Sequence, residues 1–182
     1  MKKTLLLPEL KPLVPGRLDL RGLCCLELYR PVHRKSQRKE KVGEYTFRND
    51  ITNEGKNLIF DTFFNAASQI TTWYVGLIDN ASYSALNAAD VMNSHSGWIE
   101  LTAYSQSTRV VFASGASSSQ TVTNSTPAVF DFTGSATVQG IFITSGSAKG
   151  GTTGKLWSTA LLSPTVPVSN GDELRFSYSV SA

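Results

Sequence analysis

The sequence predicts a mainly β fold: an antiparallel, jelly-roll-like β-sandwich with one short α-helix and an extended N-terminal arm. Three observations point that way. Charged residues make up only 17% of the chain, below the usual quarter; serine, threonine, glycine and asparagine fill the difference, a composition suited to short strands and turns. From Thr71 onward, apolar residues recur with period two or in short runs bounded by turn formers. Only one stretch carries a convincing helical signature.

That stretch is "TNEGKNLIFDTFFNAA". Thr52 or Asn53 can cap it, and Glu54 sits favourably in its first turn. Leu58, Ile59, Phe63 and Phe60 fall on a broad apolar face, expected to pack into the core. Before it, "EYTFRND" reads as a strand. After it come "TTWYVGLID", "GWIELTAYS", "TRVVFAS", "AVFDFTG", "ATVQGIFITSG", "KLWSTALL" and "DELRFSYSVSA". The last alternates Leu174, Phe176, Tyr178 and Val180 against Arg175, Ser177 and Ser179, the clearest half-buried strand in the chain. In "AVFDFTG", Phe130 and Phe132 share one face and Asp131 takes the other. Residues 79–97 form a long excursion, with one helical turn expected near 88–92; loops of that length tend to be functional or interfacial.

A chain of 182 residues can bury a real core, and the expected division is an arm at 1–43 and a body at 44–182. The opening "MKKTLLLPELK" begins like an export signal, but Pro8, Glu9 and Lys11 interrupt it after three leucines, too soon for export. No run approaches the length of a membrane span, so no membrane partner is expected. Pro8, Pro12, Pro15 and Gly16 forbid a helix over the first 18 residues, which leaves leucines on an extended strip. Charge is divided unevenly. Residues 1–56 carry 13 Lys and Arg against 7 Asp and Glu, whereas residues 57–182 carry 4 against 7.

The basic excess is densest in "YRPVHRKSQRKEK". It reads as a solvated loop, as a dock for an acidic protein surface, or as a phosphate contact. No aromatic residues interleave with the cations inside the run, so a stacking platform for single strands is missing and nucleic acid is not the expected partner. The candidate partner-binding residues of the arm are Leu5, Leu6, Leu7, Leu10, Arg30, Arg34, Lys35, Arg38, Lys39 and Lys41. Adjacent cysteines, Cys24 and Cys25, would point to opposite faces of a strand and are expected as free thiols.

The segment "KGGTTGKLW" at 149–157 imitates a phosphate-binding loop. Gly150 and Gly154 enclose three residues where four are needed, and Lys155 precedes Leu156, which cannot ligate magnesium. Apolar runs on both sides make it a hairpin connection. Catalytic constellations are equally lacking: His33 and His95 offer no metal-ligand spacing, no nucleophile elbow is present, and Asp79, Asp90 and Glu100 are acids scattered through loops. The expectation is a protein that is not an enzyme and holds neither cofactor nor metal.

The segments "ITNEGKNLIFDTFF", "WYVGLIDN", "SGWIELTAYS", "GIFITS", "GGTTGKLWS" and "GDELRFSYSVSA" occur here in one order. Together, over roughly residues 44–182, they resemble small β-rich structural proteins encoded among the virion genes of tailed bacteriophages. The resemblance implies a component of the virion, assembled in the host bacterial cytoplasm, with no chemistry of its own. Combined with the arm, it implies a capsid decoration or cement protein. The partners would be the major capsid protein or other virion proteins, with self-association; a tail, head-to-tail junction or fibre component is the near alternative. A rival is a glycan-binding sandwich module, with Trp98, Tyr104 and Trp157 as stacking candidates, whereas Trp73 reads as core.

Overall fold

A computed structural model describes residues 20–33 and 38–182 of the chain. Among them are ten strands and one α-helix: β1 (Arg21–Pro31), β2 (Lys39–Ile51), α1 (Asn53–Phe64), β3 (Trp73–Asp79), β4 (Glu100–Leu101), β5 (Val110–Phe112), β6 (Thr121–Thr123), β7 (Ala128–Asp131), β8 (Ala136–Thr144), β9 (Leu156–Val168) and β10 (Glu173–Ser181). All pairings are antiparallel, and the strands form one sheet in the order β4-β3-β8-β9-β2-β1-β10-β6. Strand β5 also pairs with β3, and β7 with β10.

The sheet curls into a half-barrel. Short bridges join its two ends, Tyr104 to Phe132 and Ser114 to Asn124. The Ser105 amide donates to the Asp131 carbonyl at 2.8 Å, and the Gly115 amide donates to the Thr123 carbonyl at 2.8 Å. Exposed sheet edges invite pairing with other chains; here each end of the sheet hydrogen-bonds to the other. Inward-facing residues of eight strands build the main core, among them Leu26 and Leu28 from β1, Leu77 from β3, Phe130 from β7, Ile141 from β8, Val166 from β9, and Phe176 and Tyr178 from β10. A smaller cluster of Ile78, Met92, Trp98, Phe142 and Leu156 lies on the opposite face, where the 79–97 excursion covers it with Tyr83 and Leu86. That cover explains why β3 and β8 are buried on both faces and read as apolar runs rather than alternations.

Most of the expected strands form, at different lengths. "GWIELTAYS" contributes only Glu100–Leu101 as strand, and residues 88–92 turn without forming a helix. The boundary expected at residue 44 is not where the sheet begins. Strand β1 lies inside the sheet, hydrogen-bonded along its length to β2 on one side and β10 on the other. Its alternation supplies the reason: Cys24, Leu26 and Leu28 are fully buried, while Leu23, Cys25 and Glu27 face outward. Such a strip can build a core once two partners flank it. Segments 1–19 and 34–37, with Leu5, Leu6, Leu7, Leu10, Arg34 and Lys35, lie outside the described residues.

Candidate functional site

Among the described residues, the cations expected to bind a partner are engaged at home. The Arg30 Nε donates to Asp172 at 3.2 Å, and its Nη2 donates to the Pro167 carbonyl at 3.1 Å. Lys39 Nζ lies 2.9 Å from Asp131 and 3.0 Å from Glu173. Lys41 Nζ lies 2.8 Å from Glu27 and 2.9 Å from Glu44. Its hydrogen bond holds the Glu27 carboxyl below the usual carboxylate range. Arg38 pairs with Glu40 at 3.2 Å, both well exposed. The basic hairpin is thus anchored to acids on its neighbours, and the sequence alone could not show which acids would face it.

The glycan-stacking candidates are also corrected. Trp98 is 1% exposed. Its ring stacks on His95 with centroids 3.8 Å apart, and its Nε1 donates to Asp90 at 2.9 Å. Tyr104 is 3% exposed, packed edge-on against Phe130; burial pushes its hydroxyl pKa up. Both rings lie in hydrophobic clusters and cannot offer a face to a sugar. Trp157 is half-buried, tilted against Trp73, and donates through Nε1 to the Tyr178 hydroxyl at 3.2 Å.

The loop at 149–157 connects β8 to β9, as expected for a hairpin, with Gly150 and Gly154 at positive φ. Its role is to enclose a buried ion pair. Arg109, 1% exposed, makes a two-pronged contact with Glu100, Nε to Oε1 at 3.0 Å and Nη2 to Oε2 at 2.8 Å. Its Nη1 donates to the Gly146 carbonyl at 2.9 Å and its Nη2 also to the Gly151 carbonyl at 2.6 Å, and the Gly150 amide donates to Glu100 at 2.7 Å. The two flanking lysines are anchors. Lys149 donates to the carbonyls of Tyr104 and Gln106, and Lys155 pairs with Glu54 at 2.9 Å. A phosphate would find these amides and cations already engaged.

Among the acids considered for carboxylate chemistry, Asp79 accepts from the Ala81 amide, Asp90 holds Trp98, and Glu100 holds Arg109. No group of three or more His, Cys, Asp or Glu among the described residues could hold a metal ion. Cys24 and Cys25 are free thiols; burial and the neighbouring thiol push the pKa of Cys24 up.

What remains is α1. Thr52 caps it, its Oγ1 accepting from the Gly55 amide at 3.0 Å and donating to the Leu156 carbonyl at 2.5 Å. Glu54, in the first turn, accepts from the Leu156 amide at 2.7 Å. Gly55 is the helix residue fully buried, and a Cβ there would come within 2.4 Å of the Trp157 carbonyl. That close approach turns residues 55, 58, 59 and 62 toward β9. At about 100° per residue, Phe60 and Phe64 then point away, and the expectation that Phe60 and Phe63 fill the core is overturned. Phe60, Phe63 and Phe64 are 53%, 80% and 71% exposed. Phe63 and Phe64 meet edge-to-face at 4.9 Å, and Phe60 stacks with Phe64 at 6.4 Å. Beside this ridge runs a groove of about 460 Å³, walled by Leu20, Ile51, Ile59, Phe60, Leu86 and Ala88, with Asp50 and Lys56 among its polar lining. Contiguous exposed apolar surface of this kind marks an interaction site. The signal was present as "LIFDTFF", but only the Gly55 contact decides which side faces out.

No protein-family model and no curated protein sequence matches the chain.

Proposed function

We propose that this chain is a non-enzymatic structural protein of a tailed-phage virion, seated on the capsid shell as a decoration or cement protein. The observation that carries the reading is the phenylalanine ridge on α1. The body buries Trp98, Phe130, Phe142 and Phe176 almost completely, yet displays three phenylalanines on one short helix. Such a surface suits permanent docking on a large protein lattice, where apolar contact excludes water. The linked segments that resemble small phage virion proteins point to the same class of partner. In this reading the partners are the major capsid protein or other virion proteins, with self-association, and the protein resides in the virion after assembly in the bacterial cytoplasm.

The N-terminal leucines are the second attachment element, while Arg30, Lys39 and Lys41 serve the body's own ion pairs. Attachment is therefore mainly apolar and only weakly salt-sensitive. A tail, head-to-tail junction or fibre position is the alternative within the same class. The glycan-binding reading is weakened, because Trp98 and Tyr104 are buried.

The finer fold reading is a jelly-roll-like sandwich, in which β1 and β10 face β3 and β8 across the core cluster that all four share; a single curled sheet would share that cluster in the same way. An experimental structure with two separable sheets would support it, and one continuous closed barrel would replace it.

The deciding experiment is the copy number of this chain in purified particles, by quantitative mass spectrometry against the major shell protein. A count equal to the shell protein, or a simple fraction of it, is expected. A ring-sized count moves the protein to the tail or junction, and absence from particles overturns the virion reading.

A further inference from the structure

The groove beside α1 opens where the described chain begins, since Leu20 is one of its walls. We propose that this groove and the adjoining phenylalanine ridge are the docking site for the chain's own residues 1–19.

Position argues for this occupant. The segment is tethered at Leu20, so docking is intramolecular, and a short tether raises effective concentration to about the millimolar range. Reach is ample: residues 1–19 span up to about 63 Å when extended, at roughly 3.3 Å each, whereas α1 is about 18 Å long. Chemistry agrees as well. The segment carries Leu5, Leu6, Leu7, Leu10, Leu13, Val14 and Leu18, while Pro8, Pro12 and Pro15 keep it from coiling into a helix. An extended, leucine-rich strip fits a groove walled by Ile51, Ile59, Phe60 and Leu86. Covering Phe60, Phe63 and Phe64 would also remove the largest exposed aromatic surface of the free protein.

The proposal concerns the isolated chain and does not rest on the virion reading. Should both hold, shell binding exchanges one partner of the leucines for another.

The test places the photo-crosslinker p-benzoylphenylalanine at position 63 of the full chain; that side chain is 80% exposed, so the change leaves the core intact. After illumination over a hundredfold range of dilution, adducts are mapped by mass spectrometry. The expected result is a crosslink to residues 1–19 within single chains, with a yield independent of concentration. Crosslinks between copies that rise with concentration would assign the face to a second copy and overturn the proposal. Adducts confined to residues 20–182, or none, would overturn it too. A second reading uses the full chain carrying L5S, L6S, L7S and L10S together. Amide exchange in α1 should rise about tenfold, and an unchanged rate also counts against docking.

Discussion

Arg109 shows what a single buried charge commits a fold to. Its guanidinium is enclosed with Glu100, two loop carbonyls and the Phe142 ring at 5.1 Å, so every partner is lost together if the side chain goes. Arg109→Met should lower stability by about 3–5 kcal/mol, because it strands a buried carboxylate. Pairing it with Glu100→Gln should recover a large part of that loss, measurable as urea midpoints. No recovery would mean that the carbonyl contacts, not the charge, dominate. Glu27 provides a milder, pH-dependent case. Its carboxyl is held below the ordinary range by hydrogen bonding to Lys41, although burial acts in the opposite direction. A depressed carboxylate contributes stability above its unfolded pKa of about 4.3 and loses it as pH falls through the folded value. Glu27→Gln should therefore flatten the acid limb of the stability curve while leaving its shape near pH 7 unchanged. An acid limb as steep as the parent's would remove Glu27 from the account.

At the scale of elements, α1 separates what local sequence can and cannot say. Its start was legible: Thr52 caps, Glu54 follows, and both do so in the structure. Its orientation was not, because that depends on the approach of Gly55 to the Trp157 carbonyl, over a hundred residues away in sequence. Four variants follow from this division. Thr52→Ala should cost about 1 kcal/mol or more, since it removes a cap that also ties the helix to β9. Phe60→Ser, Phe63→Ser and Phe64→Ser should each stay within about 0.5 kcal/mol of the parent in the folded body. The comparison is made in chains that lack residues 1–19, where a large loss at Phe63 would show that the ring packs against the body itself and would count against a docking role. The loop at 149–157 follows the same logic. Its turn character was readable from glycines and from the absent metal-ligating hydroxyl, but the ion pair it encloses was not, because Glu100 and Arg109 reach it from a different part of the chain.

For the molecule as a whole, the strand content was legible and the organisation only partly so. Period two marked β10 and "AVFDFTG" correctly, and apolar runs marked β3 and β8. β1 was hidden in plain sight: "GLCCLELY" alternates, but the cations that follow it suggested a free arm. Two of those cations, Arg30 and Lys39, pair with Asp172, Asp131 and Glu173, acids from the far part of the sequence that become neighbours through the pairing of β10 with β1 and β7. The consequence can be tested by truncation. Removing residues 1–19 deletes none of the described sheet, and the product should unfold cooperatively. Removing residues 1–43 deletes β1 and the first part of β2, leaving all nine residues of β10 without their β1 partners and the core without Cys24, Leu26 and Leu28. Burial of Leu26 and Leu28 alone stabilises by roughly 1.5–3 kcal/mol each, and the newly bared edge would pair with other chains. The shorter product should therefore be recovered aggregated or unfolded by circular dichroism and size exclusion. A soluble, cooperatively folding 44–182 fragment would restore the arm-and-body division and show that β1 is an accessory to the sheet.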